Sequence, residues 1–217
     1  MSQQIPSPRG GASGGHRNGT DVRHALWVPT LVRALVALVF GAVTIFWQEP
    51  TENAAPWALG LFLAGTGGAW LFLHFRMKGR EDVDLGSLAN IPQLAGILYI
   101  LGGALVAIMA PQNWLFVLLA TMVLGLCGIL ELALGLRLRQ SFPLGRDWTL
   151  SGLVTVGAGM GMMLMETLGT KAELGVVGGA AIIIGVTQFI AALSLRHDAL
   201  AADRAGSPEN GQPKRVD

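Results

Sequence analysis

Two ionisable side chains lie where the chain is otherwise apolar, and they are the first candidates for chemistry. Arg33 falls about six residues inside a long apolar run, and Glu131 about five residues before the end of another. At a rise of about 1.5 Å per residue these depths agree to within a few Å. An ionised group in hydrocarbon costs about 2 kcal/mol or more unless it pairs or reaches the headgroups. Arg33 has a stem long enough to snorkel unaided; Glu131 is shorter. The two residues therefore form a candidate intramembrane ion pair, with snorkelling as the alternative for Arg33. A carboxylate in such a place could register acidification, since burial raises its proton affinity and a nearby cation lowers it. The blander role is packing.

The other chemistry-bearing residues read as weaker signals. His16, His24, His74 and His197 are scattered singly near one predicted face, which suits solvated interface residues better than a clustered pH switch. Met160, Met162, Met163 and Met165 could in type ligate a soft metal. Their spacing carries them around a helix, so conformable packing is the better account. A single cysteine, Cys127, permits neither an intramolecular disulfide nor a CxxC pair. Ser151, Gln93, Gln188 and Tyr99 have no histidine well inside the apolar core to partner them, so a hydrolase is not expected. The glycines from Gly157 to Gly161 follow no strand and are not a dinucleotide fingerprint. No catalytic residue, cofactor or metal site is expected.

Six apolar segments must position these residues, predicted over 27–47, 56–75, 91–110, 114–136, 149–168 and 174–195. Each is about 20 residues, long enough as a helix to cross a hydrocarbon core of about 30 Å. Membrane β-strands are about half that length and alternate in polarity, which none of these runs does. Trp27, Trp47, Trp57, Trp114 and Trp148 mark predicted span ends, where an indole prefers the headgroup region, whereas Trp70 falls within a span. The predicted class is an all-α integral membrane protein.

Charge sets the orientation. Of 15 Lys and Arg residues, only Lys171 falls on one side of the six spans. Cationic loops are retained in the cytoplasm during insertion, so both termini are expected there. The formal charge of +1 with 13% charged residues gives no reason to expect nucleic-acid binding. Residues 1–24 and 197–217 read as disordered cytoplasmic tails around a membrane domain at 25–196. No small-residue cleavage site follows the first span, which reads as a retained signal anchor.

An internal repeat organises the membrane domain. Gly65, Gly128 and Gly185 each precede a basic residue, Arg76, Arg139 and Arg196, by the same interval. Gly41 and Gly102 stand equally far before Pro50 and Pro111. In the third copy Glu166 to Gly169 replaces the proline turn, and Gly159 or Gly161 stands at the odd-span position. Three helical hairpins, parallel to one another about an axis along the membrane normal, are expected. Whether they close into a ring is left open. Small residues four apart, Gly157 with Gly161, Gly175 with Gly179, Ala64 with Gly68 and Ala181 with Gly185, are expected at helix contacts, within the protomer or in a homo-oligomer.

The run from Arg33 to Gly41, Phe46, Trp47 and Pro50 resembles the short repeat of the HdeD-like acid-resistance membrane protein family. So does the stretch Gly128-Ile129-Leu130-Glu131 through Leu136-Arg137-Leu138-Arg139. The resemblance covers residues 25 to 196 and implies a bacterial inner-membrane protein linked to acid stress, without established catalytic residues. Two readings remain: a non-enzymatic contributor to stress tolerance with the lipid bilayer as its main partner, or a small permease or channel for a proton or small solute. Thr66, Thr121, Thr155 and Thr187 are the only obvious polar groups at mid-depth, which is sparse lining for a path.

Overall fold

The computed structural model describes residues 14–78, 90–109, 112–140 and 142–206. Among them there is no strand. Six helices follow one another: α1 Gly14–Phe46, α2 Ala55–Met77, α3 Ile91–Met109, α4 Asn113–Leu138, α5 Gly145–Met165 and α6 Thr170–Gly206. All six contain a stretch long and apolar enough to cross a membrane. Local chemistry places several boundaries. Pro56 lies in the first turn of α2 and Pro92 in that of α3, where a missing N–H costs nothing. Between α5 and α6 a single 3-10 turn, Glu166–Leu168, leads to Gly169 at φ 85°. That left-handed backbone favours glycine, so Gly169 turns the chain where the first two outer connections carry proline.

The outer helices are longer than the apolar runs. Residues 14–24 and 197–206 are helical, where the sequence suggests disordered tails; residues 1–13 and 207–217 lie outside the described part. The reason is tertiary as well as local. Ala25, Leu26, Leu195 and Ala199 are buried, Arg23 approaches Asp198 at 3.8 Å, and the Arg196 guanidinium lies 5.8 Å from the Trp27 ring centre. The α1 and α6 ends thus support each other beyond the hydrophobic stretch, and the segment after Arg196 is rich in Ala and Leu, good helix formers.

Each helix packs against its sequence neighbours, and α6 packs against α1, so the six form a closed ring. The most extensive interfaces are α2 with α3, α4 with α5 and α6 with α1. Glycine makes them close. A Cβ at Gly103 would lie 2.6 Å from the Gly60 carbonyl oxygen, and one at Gly67 equally near the Gly96 carbonyl. On α4 and α5, Gly128 faces Gly152 in the same way. On α6 and α1, Gly178 meets Thr44 and Gly185 meets Leu38.

These contacts recur every seven residues along a helix, as in Gly60 and Gly67, Gly96 and Gly103, or Gly178 and Gly185. The four-residue pairs read from the sequence split instead. Gly161 packs on Val176 and Gly185 on Leu38, whereas a Cβ at Gly157, Gly68, Gly175 or Gly179 would meet nothing within 4 Å. The repeat register also shifts. Gly65 faces Val36 of α1, unlike Gly128 and Gly185, and it is Gly67 that contacts the following helix as they do. Likewise Gly102 faces Val123 of α4, whereas Gly103 and Gly159 face the preceding helix and Gly41 faces α6.

Candidate functional site

Arg33 and Glu131 come together inside the ring. Arg33 Nη2 donates to Glu131 Oε2 at 2.7 Å, and Nη1 approaches Oε1 at 2.6 Å. Both terminal nitrogens thus face the two carboxylate oxygens, Nη2 through a hydrogen bond and Nη1 through a close ionic contact. Their side chains are 7% and 0% exposed. Arg33 therefore does not snorkel to the headgroups; its stem and head are enclosed by neighbouring helices.

The surroundings explain why it stays there. The Ser151 hydroxyl donates to Glu131 Oε1, and the Tyr99 hydroxyl approaches Oε2 at 3.5 Å, a long contact. Glu131 on α4 thus gathers groups from α1, α3 and α5. On the other side, the Arg33 guanidinium carbon lies 4.9 Å from the Trp70 ring centre, within range of a cation–π interaction. Trp70 in turn rests 5.4 Å from the ring of Trp148, which stacks on Phe142. Trp148 is only 3% exposed. It is an interior packing residue, contrary to the headgroup role its position suggests, because its indole lies between the rings of Trp70 and Phe142.

Polar groups cluster at this level. Thr66, Ser151, Thr155 and Gln188 are buried near the pair's depth. Thr155 Oγ1 donates to the Ser151 carbonyl at 2.7 Å. Thr121 instead spends its hydroxyl on the Gly159 carbonyl of α5, and Thr187 bonds within its own helix; neither lines the interior. A cavity of about 20 Å³ touches Arg33, Thr66, Tyr99 and Thr155. Farther from the chain ends the interior becomes apolar. Phe40 and Phe62 stack at 4.3 Å, and Leu59, Val106, Phe116, Met162 and Leu174 are buried. The next polar contact beyond them is Asn113 Nδ2 donating to Glu173 Oε1 at 2.9 Å.

The remaining sequence candidates are dispersed. His74 is 8% exposed and lies edge-on to Phe75, so it is buried where a solvated residue was expected. The His197 side chain is well exposed, and His16 lies where side chains are not described. Met162 is fully buried while Met160 and Met163 face outward, and Cys127 is buried and unpaired. Among the described residues no group of His, Cys, Asp or Glu could hold a metal ion. Sequence reasoning missed Ser151 and Tyr99 as partners of Glu131, and Trp70 as the platform for Arg33. The available signal was depth: Ser151 lies six residues into α5, much as Arg33 does in its apolar run.

Residues 32–108 match the family model described as a short repeat of unknown function, DUF308. The match begins beside Arg33, runs through α2 and α3 and stops before Glu131. No curated protein matches the chain, and no solved structure does. With six helices long and apolar enough to span, the chain reads as a multi-pass membrane protein in which residues 32–108 are similar to that short repeat.

Proposed function

We propose that this is a non-enzymatic, HdeD-like protein of the bacterial inner membrane, with both termini in the cytoplasm, that contributes to acid or envelope stress tolerance. In this reading the six helices are three parallel hairpin repeats, and the ion pair ties the repeats together. The observation that carries it is the Arg33–Glu131 pair. It is a two-contact ion pair enclosed by the helices, an internal tie and not the lining of an open path. The apolar interior beyond Phe40 and Phe62 and the small central cavity favour the same reading over a permease, which needs a continuous polar or hydrated route. Ser151 is no nucleophile here, since its acceptor Glu131 is already held by Arg33 and has no histidine beside it.

The test is a deletion strain of the bacterial host, complemented with wild type or Glu131→Gln. Survival of acid shock and recovery of cytoplasmic pH should fall in the deletion and be restored by wild type. A deletion strain that matches its parent in acid, detergent and osmotic challenge would overturn the proposal.

A further inference from the structure

Two small cavities flank Arg33 along the bundle. The central one, about 20 Å³, extends past Ala37 and Phe62. The other, about 10 Å³, lies nearer the chain ends and is bounded by Pro29, Thr30, Arg33, Trp70, Trp148 and Gln188, among others. Since Thr30 and Ala37 lie on opposite sides of Arg33 along α1, the cavities are on opposite sides of the ion pair. Each is about the size that admits one water molecule.

Several buried polar atoms around them have no partner in the protein. Arg33 Nε, Trp70 Nε1 and Gln188 Oε1 belong to residues lining the cavity nearer the chain ends, and Thr66 Oγ1 to one lining the central cavity. All four side chains are more than nine-tenths buried. Their chemistry is mixed: Arg33 Nε and Trp70 Nε1 only donate, and Gln188 Oε1 only accepts. An anion would satisfy the donors and be repelled by the amide oxygen. A cation would do the reverse beside a guanidinium. Water both accepts and donates, and it fits the space.

We propose that the ion pair is hydrated from both sides by two single-water sites. One water accepts from Arg33 Nε or Trp70 Nε1 and donates to Gln188 Oε1. The second bridges Thr66 Oγ1 and the Tyr99 hydroxyl, whose own contact to Glu131 is long. The proposal stands apart from the stress reading and does not depend on it.

Radiolytic hydroxyl labelling of the full chain in nanodiscs tests it, because bound water converts to radicals that modify the side chains beside it. After correction for intrinsic reactivity, Trp70 and Tyr99 should label above Phe116, which is equally buried and lines neither cavity. Gln188→Leu should lower Trp70 labelling several-fold and leave Tyr99 unchanged. Labelling of Trp70 no greater than that of Phe116, or no response to Gln188→Leu, overturns the first site; a Tyr99 signal at the Phe116 level overturns the second. Should Gln188→Leu fail to fold, a high-resolution map of the wild-type protein decides. Water density at about 3 Å from Arg33 Nε and Gln188 Oε1 supports the proposal, and dry cavities overturn it.

Discussion

Arg33 and Ser151 share one oxygen of a third residue: Glu131 Oε1 lies 2.6 Å from Arg33 Nη1 and also accepts the Ser151 hydroxyl. Three helices, α1, α4 and α5, are joined through that atom, and truncating Arg33 or Glu131 leaves the opposite charge buried without its ionic partner. Removing one member of a buried pair costs about 3–5 kcal/mol, whereas replacing both with apolar groups of similar volume is often neutral. Glu131→Gln and Arg33→Ala should each lower stability in detergent by about 3 kcal/mol, and Arg33→Met with Glu131→Met should lose much less than the two single losses added. Chemical or thermal unfolding measures this, and strict additivity would argue against a coupled pair.

The glycine interfaces predict a sharp contrast between positions that look alike in sequence. A Cβ at Gly103 meets the Gly60 carbonyl oxygen at 2.6 Å, and backbone cannot move aside as a side chain can. Gly103→Ala should destabilise by about 1–3 kcal/mol, the usual cost of overpacking. Gly157→Ala and Gly68→Ala meet nothing and should be neutral or stabilising by up to about 1 kcal/mol. Midpoints of thermal unfolding that fail to separate the two classes would contradict the close approach.

The charge count predicts an orientation that labelling can test. In a Cys127→Ala background, Asn53→Cys and Gln112→Cys, both exposed at one end of the ring, should react with an impermeant thiol reagent in intact cells. Gln140→Cys, exposed at the other end, should react only after the membrane is opened. The reverse pattern would place the termini outside.

Transport is the outcome the interior disfavours. Purified protein in liposomes should leave an imposed proton or potassium gradient to decay at the rate of empty vesicles. Saturable flux abolished by Glu131→Gln would establish the permease reading and make Glu131 part of a path.

Much of this architecture could be read from residues alone. The six apolar helices follow from length and hydropathy, which depend on local composition. The depth match of Arg33 and Glu131 needed only counting along two helices. What escaped was rotational and tertiary. A spacing of four small residues marks one way helices approach, yet here neighbouring antiparallel helices meet at every second turn, through Gly60, Gly67, Gly96 and Gly103. Choosing Gly65 over Gly67 as the repeat position is a difference of two residues, about 200° around a helix at 3.6 residues per turn, and so it points to a different neighbour. Trp148 and His74 were misplaced for the same reason: distance along the chain from a span end does not say whether another helix covers the side chain.

The α6–α1 interface has a consequence for how the protein is made. Synthesis runs from the amino terminus, so α1 emerges before the other five helices described, while α6, against which it packs most extensively, emerges after them. Until α6 arrives, Leu38, Gly41 and Thr44 lack the helix they pack on, and Arg33 has no Glu131 carboxylate until α4 is in place. Nascent chains stalled after α3 should therefore hold α1 in a loosely packed, exchangeable state, and the arrival of α6 should lock it in place.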